Sequence, residues 1–600
     1  MKINVLQYLP ENSSYVVIPF LESTHKKYGR SVFKMINNCI GGTGSITLDD
    51  KYKDACAAID EKFHDKMINI ATLTVSLEMI GGMRPITKSK KTKTVSKIVS
   101  KIVSKKVSRS TPKEELTQRN LNSLGTGLIQ IYLIRIGGGS GGESKSGESK
   151  SGEMENRDME DRNGMMEELR VSGHLIFSLV KSNFIKNVNL VPALEGNGLD
   201  IKHSIPALLE GIMLSSYKFD KYKTDKALER QGLKHVYHLE NLHLITKGHG
   251  TEYLTSEIDK LEKVIGSVFL ARDLVNEPAN DNRFERFMER IKEFIKKMQV
   301  PVELDIWDKS QLEKMGMGLI LGVGKGSTLE NAPRMVIMKY HPRGRGCGKG
   351  IDTDKDNSPE WVLLGKGITF DTGGLDLKSS KNMLEMKSDL SGAAAVISFL
   401  LGYAANGGEK CIYVMCPFAE NSISSSAIKP SDVLKAYDGR TVEVVDTDAE
   451  GRLVLADVLA YTVKKWPNAR VMDLATLTGQ AESISGKAFS CILSVNAEAE
   501  TTGLIKKSLI INEALVRLPL LDKELSKLES NVADIKNVNY KSSADIIMSS
   551  LFMKQFIKPN TKWIHIDIAG PAFHLNEVIK YASPEASGVG VRLLFEYFSK

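Results

Sequence analysis

The sequence predicts an α/β fold with two domains, a smaller one at the N-terminus and a larger one at the C-terminus. The chain has 600 residues, which is too long for one ordinary domain. Its hydrophobic share of 42% and its charged share of 26% are typical of globular proteins. Beyond residue 300, apolar runs typical of strands alternate with helical patterns. This alternation indicates a mixed central sheet flanked by helices.

The N-terminal domain is expected at residues 1–250. Apolar runs in this region predict strands at 13–21, 68–80, 127–136, 171–180 and 238–246. A low-complexity insertion occupies about 85–164, and its Gly/Ser-rich part at 137–163 has the composition of a linker. A solvated surface insertion is therefore the simplest interpretation of this tract.

The formal net charge of +8 comes from one segment. The run from Lys88 to Lys113 contains only basic charged residues, and the rest of the chain is close to neutral. This run is either part of the solvated insertion or a tether for nucleic acid or another anionic surface. The sequence leaves both possibilities open.

The C-terminal domain is expected at residues 251–600. A helix is predicted to run from Thr255 to Asn276 and to stop before Pro278. Nearly continuous apolar runs, typical of strands buried on both faces, predict strands at 333–340, 361–368, 411–418, 469–477 and 562–569. Helices are predicted at 391–404 and 451–466, and a polar surface loop at 343–360.

The compartment is expected to be cytoplasmic. The six cysteines form no C-x-x-C pair, which favours free thiols in a reducing environment. The first residues lack the apolar core of a signal peptide. The longest apolar stretch, at 393–405, is too short and too mixed to span a bilayer.

Charged residues follow the ends of several predicted strands, where ligands bind in open α/β sheets. They lie in GKGITFDTGGLDLK (365–378), MLEMKSDLSGAAA (383–395) and DTDAEGRL (446–453). Carboxylates are hard ligands for divalent cations, and several of them together repel one another without a cation. Between His341 and His565 there is no histidine, so a metal site here is carboxylate-rich. This composition disfavours the H-E-x-x-H zinc peptidases.

Each carboxylate also has a structural explanation. Asp371 precedes Thr-Gly-Gly and suits a turn, while Asp389 suits a helix cap. Asp448 and Glu450 suit the first turn of a helix because of the helix dipole. Taken singly, the structural explanation is the stronger one, and the joint spacing favours a metal site.

The two segments GKGITFDTGGLDLK and DTDAEGRL resemble the signatures of the leucyl aminopeptidase family in order and separation. The resemblance extends over about 210–600. It includes the segments ARDLVNEPAN (271–280), MGMGLILGVGKGS (315–327), PFAENSISSSAIKPSDV (417–433), DLATLTG (473–479) and WIHIDIAGPA (563–572). The combined motifs are far more specific than any short motif alone.

The resemblance implies a role for each matching position. One metal ion would be bound by Lys366, Asp371, Asp389 and Glu450, and the second by Asp371, Asp448 and Glu450. Lys378 and Arg452 match the catalytic positions. Substrate would contact Lys378, Met386, Thr476, Leu477, Gly479, Ala569 and Ala572, with Leu477 acting through its backbone. Ala569 and Ala572 are equally explained as core residues.

The implied activity is the release of N-terminal, leucine-like residues from short peptides. Two metal ions sharing a water would acidify it into a nucleophile, and Lys378 would stabilise the oxyanion. Zn²⁺, Mn²⁺, Mg²⁺ and Co²⁺ all tolerate such ligands. The resemblance further implies bicarbonate at Arg452 and a homohexamer. Asp446 departs from the family, which usually has Asn there, and adds a carboxylate near the metals.

Two other functions compete with the aminopeptidase. One is a nucleic-acid-binding protein that uses the Lys88–Lys113 run, which salt-sensitive DNA retention would reveal. The other is a two-metal phosphoesterase, because such centres also serve phosphate chemistry. Only the aminopeptidase explains all the motifs together.

Overall fold

The computed structural model describes residues 1–6, 15–21, 70–76, 128–136, 151–190, 201–230, 239–245, 251–342, 358–542 and 544–599. It confirms the predicted α/β class. The chain divides into two compact units. One comprises Met1–Gly137, Phe184–Asn197 and His238–Thr251, and the other comprises Gly138–Asn183, Gly198–Tyr237 and Glu252–Lys600. The boundary expected near residue 250 stays a prediction.

The first unit contains a six-stranded sheet in the order β1-β6-β5-β2-β4-β3. Its strands are β1 (Lys2–Leu6), β2 (Tyr15–Leu21), β3 (Ile70–Ser76), β4 (Leu128–Ile136), β5 (Asn187–Leu190) and β6 (Asn241–Ile245). Neighbouring strands run parallel except for the antiparallel pair β3 and β4. The strands predicted at 13–21, 68–80, 127–136 and 238–246 are therefore confirmed.

Residues 171–180 were predicted as a strand, and this prediction is wrong. They belong to a helix, α1 (Ser151–Ser182), which packs on α2 (Ile201–Ser215). The helix begins inside the predicted insertion at 85–164. A short apolar run does not distinguish a buried strand from a buried helix. Within α1, Leu169, Ile176 and Val180 are buried at a helical spacing.

The second unit contains a nine-stranded mixed sheet in the order β16-β15-β18-β14-β9-β11-β8-β7, with β10 paired to β11. Its strands are β7 (Val302–Trp307), β8 (Arg334–Tyr340), β9 (Trp361–Gly365), β10 (Gly367–Asp371), β11 (Ile412–Asn421), β14 (Arg470–Ala475), β15 (Ser490–Val495), β16 (Leu515–Arg517) and β18 (Trp563–Asp567). A smaller sheet contains β12 (Val433–Lys435), β13 (Thr441–Glu443) and β17 (Ile535–Lys536). All five strands predicted beyond residue 300 are confirmed.

Helices connect and cover these strands. They are α3 (Asp225–Arg230), α4 (Thr251–Asn276), α5 (Phe284–Met298), α6 (Lys309–Met315), α7 (Gly318–Val323), α8 (Ser380–Met383), α9 (Ser391–Ala405), α10 (Glu450–Lys465), α11 (Gly479–Ser485), α12 (Glu498–Ile510), α13 (Asp545–Lys554) and α14 (Val591–Phe598). Short 3₁₀ turns lie at Gly324–Gly326, Met386–Leu390, Asp522–Leu528 and Leu575–Glu577. The helices predicted at 255–276, 391–404 and 451–466 are confirmed by α4, α9 and α10.

The central strands are covered on both faces. Val362 of β9 belongs to the same buried cluster as the apolar residues of α10. Successive side chains of a strand point to opposite faces, so Trp361 lies on the other side. There its ring contacts Phe598 of α14 at 5.3 Å, and Phe598 contacts Phe399 of α9 at 5.4 Å. The sheet is therefore sandwiched between α10 and α9, which explains its nearly continuous apolar strands.

Helix α9 is a core helix. Together with the preceding turn, Met386–Ala405 is long and apolar enough to cross a membrane, but 94% of its most apolar window is buried inside the protein. Its first turn approaches β14 so closely that a Cβ on Gly392 would lie 2.1 Å from the carbonyl oxygen of Leu474. Only glycine permits this approach.

Several predictions concern residues beyond those that the structure describes. The Lys88–Lys113 run lies outside them, and so does most of the loop at 343–360. Among the cysteines, Cys416 and Cys491 are buried free thiols. Cys411 is disulfide-bonded, so the expectation of free thiols is wrong at this residue.

A buried charge network joins α1, α2 and α14. Glu210 accepts hydrogen bonds from Arg170 Nε at 2.5 Å and from Arg592 Nε at 2.7 Å. All three side chains are less than 10% exposed. Burial alone would raise the pKa of Glu210, but Arg592 and Arg170 outweigh it and lower the pKa to about 2. The glutamate is therefore charged whenever the protein is near neutral pH.

We expect Glu210→Ala to lower the free energy of unfolding by about 3–5 kcal/mol, because two buried guanidinium groups lose their common partner. The folded pKa lies below the ordinary value, so this contribution is present above about pH 4.5 and is lost as the pH falls towards 2. Urea unfolding of both proteins at pH 7 and pH 3 measures it. A difference between the proteins that does not shrink at pH 3 would contradict this account. Glu498→Ala, which removes an exposed partner of Arg517, is the control and should change little.

Candidate metal and peptide site

The predicted ligand residues meet at one edge of the central sheet. Lys366 lies between β9 and β10, and Asp371 is the last residue of β10. Asp389 lies in the 3₁₀ turn before α9, and Glu450 is the first residue of α10, just after Asp448. Parallel strands end at the same edge, so residues far apart in sequence arrive together.

Two lysines link the carboxylates. Lys366 Nζ lies 2.9 Å from Asp389 Oδ1 and 2.8 Å from Glu450 Oε1. Lys378 Nζ lies 2.8 Å from Asp371 Oδ2 and 2.5 Å from Asp448 Oδ1. All five predicted metal ligands and the predicted catalytic lysine are therefore brought into one cluster.

Lys366 is fixed from three directions. It also donates a hydrogen bond to the backbone oxygen of Thr476 at 2.9 Å. A Cβ on Gly451 would lie 2.6 Å from Lys366 Nζ. Because the amine is held by three partners, it has no room to move away. Glycine at position 451 therefore lets the first turn of α10 bring Glu450 to this lysine.

Burial disfavours the charged form of the carboxylates. It raises the pKa of Asp371 and Asp389, and the neighbouring Glu450 raises both further. Burial, together with the charge of Asp371, raises the pKa of Asp448 to about 7. Burial also opposes the charge of Lys366, but Asp389 and Glu450 outweigh it and raise the pKa of the ammonium above its usual value.

The acidic residues fit a divalent cation. Oxygens of Asp371, Asp389 and Glu450 lie within 4.8 Å of one another. Asp389 Oδ2 and Glu450 Oε2 are buried and have no hydrogen-bond partner among the residues that the structure describes. Buried carboxylate oxygens are nearly always paired, so these two atoms require a cation that the protein itself does not supply.

Arg452 offers a matching site for an anion. Its Nη1 donates to the backbone oxygen of Asn537 at 3.0 Å, and its Nη2 donates to Asp545 Oδ1 at 2.8 Å. The Nε atom is buried and lacks a partner within the described part of the chain. Because the side chain lines the same cavity as the carboxylates, this donor is available to a small anion.

Sequence reasoning missed the residues that hold the carboxylates in place. Asn421, which is 1% exposed, donates one hydrogen bond to Asp371 Oδ1 at 2.8 Å and another to the backbone oxygen of Thr447 at 3.0 Å. Thr476 Oγ1 donates to Asp389 Oδ1 at 2.8 Å. Asn421 ends the motif PFAEN and follows a buried strand, which is the signal that would have identified it.

Two further acidic residues near the carboxylate cluster support the turn that carries Asp448 and Glu450. Asp446 Oδ1 accepts a hydrogen bond from the backbone N–H of Asp448 at 2.8 Å. Asp376 Oδ2 accepts one from the backbone N–H of Thr447 at 2.8 Å. Both residues line the cavity. They therefore fix the turn that carries Asp448 and Glu450.

A cavity of about 880 Å³ opens over this cluster. The predicted substrate residues that line it are Lys378, Met386, Thr476, Leu477, Gly479 and Ala569. Ala572 is different: it is 2% exposed and is not part of the lining, while its neighbour Phe573 is. The structure therefore brings together all the predicted substrate residues except Ala572.

Two walls of the cavity are tied to one buried side chain that the sequence did not reveal. Asp567, at the end of β18, is fully buried. Its carboxylate accepts hydrogen bonds from Leu477 N at 3.2 Å, Thr478 N at 3.1 Å and Ala569 N at 3.1 Å. Thr478 Oγ1 adds a fourth at 2.8 Å. These hydrogen bonds join the loop after β14 to the loop after β18.

Comparison with known proteins assigns this region to one family. Residues 269–595 match the model of the cytosol aminopeptidase family, catalytic domain. A probable cytosol aminopeptidase of Clostridium perfringens is 35% identical over 399 residues, which cover 66% of this chain and 76% of that protein. The cytosol aminopeptidase of Rickettsia prowazekii is 35% identical over 395 residues, covering 66% and 74%.

Among solved structures, the bottromycin maturation enzyme BotP in complex with Mn shares the fold with a TM-score of 0.67. The alignment covers 98% of this chain and 99% of that one, at 22% identity. This likeness extends the shared fold over nearly the whole chain.

We expect divalent cations to stabilise the protein more at pH 8 than at pH 5.5, because the ligands must be deprotonated to bind. In metal-free protein the raised pKa of Asp448 means that its contribution destabilises the fold progressively as the pH rises from about 4 to 7. A bound cation offsets this loss of stability, because it pairs with the ionised carboxylate. Melting temperatures with EDTA and with Mn²⁺ at both pH values measure the effect. A gain that is equal at the two pH values would contradict it.

Proposed function

The chain belongs to the cytosol aminopeptidase family, and we propose that it releases leucine-like N-terminal residues from short peptides with two bound divalent ions. Family membership makes it a peptidase hydrolase. The observation that carries the finer proposal is the buried cluster of Asp371, Asp389 and Glu450, with two unpaired carboxylate oxygens beside Lys378 and Arg452.

The proposed ligand sets follow from the cluster. Lys366, Asp371, Asp389 and Glu450 would hold one ion, and Asp371, Asp448 and Glu450 the other. When bound, the ions supply Lewis acidity, which activates a water molecule and polarises the peptide carbonyl. Oxygen-rich ligand sets suit Mn²⁺, Mg²⁺, Zn²⁺ and Co²⁺ alike.

Lys366 has to change its protonation state to serve as a ligand. In the structure it donates hydrogen bonds to Asp389, Glu450 and the backbone oxygen of Thr476, so it is an ammonium. An ammonium has no lone pair to offer. Nearby cations lower the pKa of an amine, which would release this proton on metal binding.

Lys378 and Arg452 line the cavity as cationic groups. Lys378 is 15% exposed, and its ammonium contacts Asp371 and Asp448, from which it would have to turn to reach an oxygen of the substrate. There it would stabilise the negative charge that develops during attack on the carbonyl. The unpaired Nε of Arg452 supports bicarbonate as a bound proton carrier, since the described residues that line the cavity include no histidine.

The cavity suits a free N-terminus followed by an apolar side chain. Met386, Thr476, Gly479 and Ala569 offer apolar or small surfaces for the first side chain. A free α-amine of the substrate has a lone pair and could coordinate one of the bound ions, which an internal peptide nitrogen cannot do. This requirement would confine cleavage to the first residue.

Assembly and location are also proposals. We propose a homohexamer that works in peptide turnover in the cytosol, in keeping with relatives named cytosol aminopeptidases. Binding of nucleic acid through Lys88–Lys113 remains the weaker proposal. The described residues carry no observation that favours it.

We expect Glu450→Ala to reduce hydrolysis of leucyl amide about 1000-fold or more, since a residue of both ligand sets is lost. Elemental analysis should show reduced metal content, while the circular dichroism spectrum should match the unchanged protein. Glu498→Ala, the same substitution at an exposed ion pair, is the control and should retain full activity. A fully active Glu450→Ala protein would refute the ligand assignment.

We expect metal-stripped protein to be inactive on leucyl amide and to recover when single cations are added back. An N-acetylated leucyl peptide should resist cleavage, because its acylated nitrogen cannot coordinate a metal ion. Phosphate esters should also resist hydrolysis by the metal-loaded protein. Rapid turnover of a phosphate ester, together with indifference to acetylation, would favour a phosphoesterase instead.

A further inference from the structure

Phe573 forms part of the wall of the cavity that Met386 also lines. It follows the β18 loop, is 7% exposed and lines the cavity, whereas Ala572 is buried behind it. Met386 lines the same cavity from the 3₁₀ turn that carries Asp389. The first side chain of a bound peptide would therefore meet a phenylalanine where the family resemblance implies an alanine.

The two residues that flank Met386 both contact the segment that carries Phe573. Glu385 Oε1 lies 3.1 Å from His574 Nε2. Lys387 Nζ lies over the ring of Phe573, 5.7 Å from its centroid. We call these two contacts the clasp. The clasp thus joins the residues on both sides of Met386 to the segment that carries Phe573.

His574 anchors the clasp. Its Nδ1 lies 2.6 Å from the backbone oxygen of Pro584, and its ring contacts Phe573 with centroids 4.7 Å apart. The partners of the two imidazole nitrogens are a carbonyl oxygen and a carboxylate oxygen, which are both hydrogen-bond acceptors. The backbone of His574 has a φ of 56°, a left-handed conformation that is uncommon outside glycine. Such strain persists only where surrounding contacts impose it.

We propose that Phe573, held in place by the clasp, limits the size of the first side chain that the cavity accepts. This proposal rests on the proposed aminopeptidase activity and names a specificity-determining residue for it. A leucine or methionine side chain fits beside Met386, while the larger ring of phenylalanine or tryptophan meets Phe573. Discrimination by size in an apolar pocket is worth roughly tenfold or more. The residue therefore sets a preference for medium-sized apolar residues.

The test compares kcat/KM for leucyl amide, phenylalanyl amide and tryptophanyl amide with the Mn²⁺-loaded full chain. Phe573→Ala should raise the ratio of phenylalanyl to leucyl turnover at least tenfold, and the tryptophanyl ratio more. Phe573→Leu, a milder change that keeps an apolar side chain, should raise the ratio by a smaller factor. Phe489→Ala removes a phenylalanine that is 40% exposed and outside the cavity lining, so it should leave the ratio unchanged.

The clasp has its own variant. His574→Gly suits the left-handed backbone. It removes the imidazole contacts with Glu385, Pro584 and Phe573, so the segment should loosen without added strain. We expect an intermediate rise in the phenylalanyl ratio, with leucyl turnover nearly unchanged. An unchanged ratio in this variant would show that Phe573 needs no clasp and would overturn that part of the proposal.

A ratio that changes less than twofold in both Phe573 variants, with leucyl turnover retained, would overturn the size limit. Calorimetry provides a readout that does not depend on turnover. Phe573→Ala should gain at least tenfold in affinity for phenylalanine hydroxamate relative to leucine hydroxamate. If leucyl amide is not hydrolysed at all, the proposed function fails, and the hydroxamate ratio still decides whether Phe573 limits the pocket.

Discussion

Buried like charges are the constraint on which this structure depends. Asp371, Asp389 and Glu450 are each less than 5% exposed, and their oxygens lie within 4.8 Å of one another. Carboxylates at this spacing repel one another in a poorly solvated environment, and only cations offset the repulsion. The fold places Lys366 and Lys378 among them and still leaves two buried carboxylate oxygens unpaired. The cluster is therefore incomplete without a further cation.

The central sheet and the helices α9 and α10 hold this cluster in position. Gly392 lets α9 approach β14, and Gly451 lets the start of α10 approach Lys366. Asn421 joins the turn of Asp371 to the turn that carries Asp448 and Glu450. Asp567 joins two further loops on the substrate side. Elements distant in sequence thus share hydrogen bonds, which restrict the movement of the carboxylates.

The sequence could predict what local patterns and strand ends determine. The strands from 333 to 569 and the helices α9 and α10 follow from such patterns. The same patterns place charged residues at the strand ends, while the resemblance to a known family implied which of them are metal ligands. The strand predicted at 171–180 was wrong because an apolar run of ten residues suits a buried helix as well as a strand. Asn421 was missed although its place at the end of a buried strand is a local signal. Asp567 was missed because Leu477 and Thr478, two of its hydrogen-bond partners, lie 90 and 89 residues away in the sequence. Phe573 was missed because the family resemblance pointed to position 572. A resemblance does not show which of two neighbouring residues, Ala572 or Phe573, faces the cavity.

Lys366 and Lys378 allow the carboxylate cluster to fold in the absence of a metal ion. As ammonium groups, Lys366 and Lys378 neutralise part of the carboxylate charge, and the carboxylates in turn raise the pKa of both amines above its usual value. A chain with the acids alone would have to protonate them or leave them unpaired. Lys366 belongs to the proposed ligand set and is held by Asp389, Glu450 and a backbone oxygen, so it would be the amine that gives up its proton to an entering cation. Lys378 is more exposed, and under the same proposal it would keep its charge for the substrate. One lysine would thus act as a removable counter-ion and the other as a permanent one.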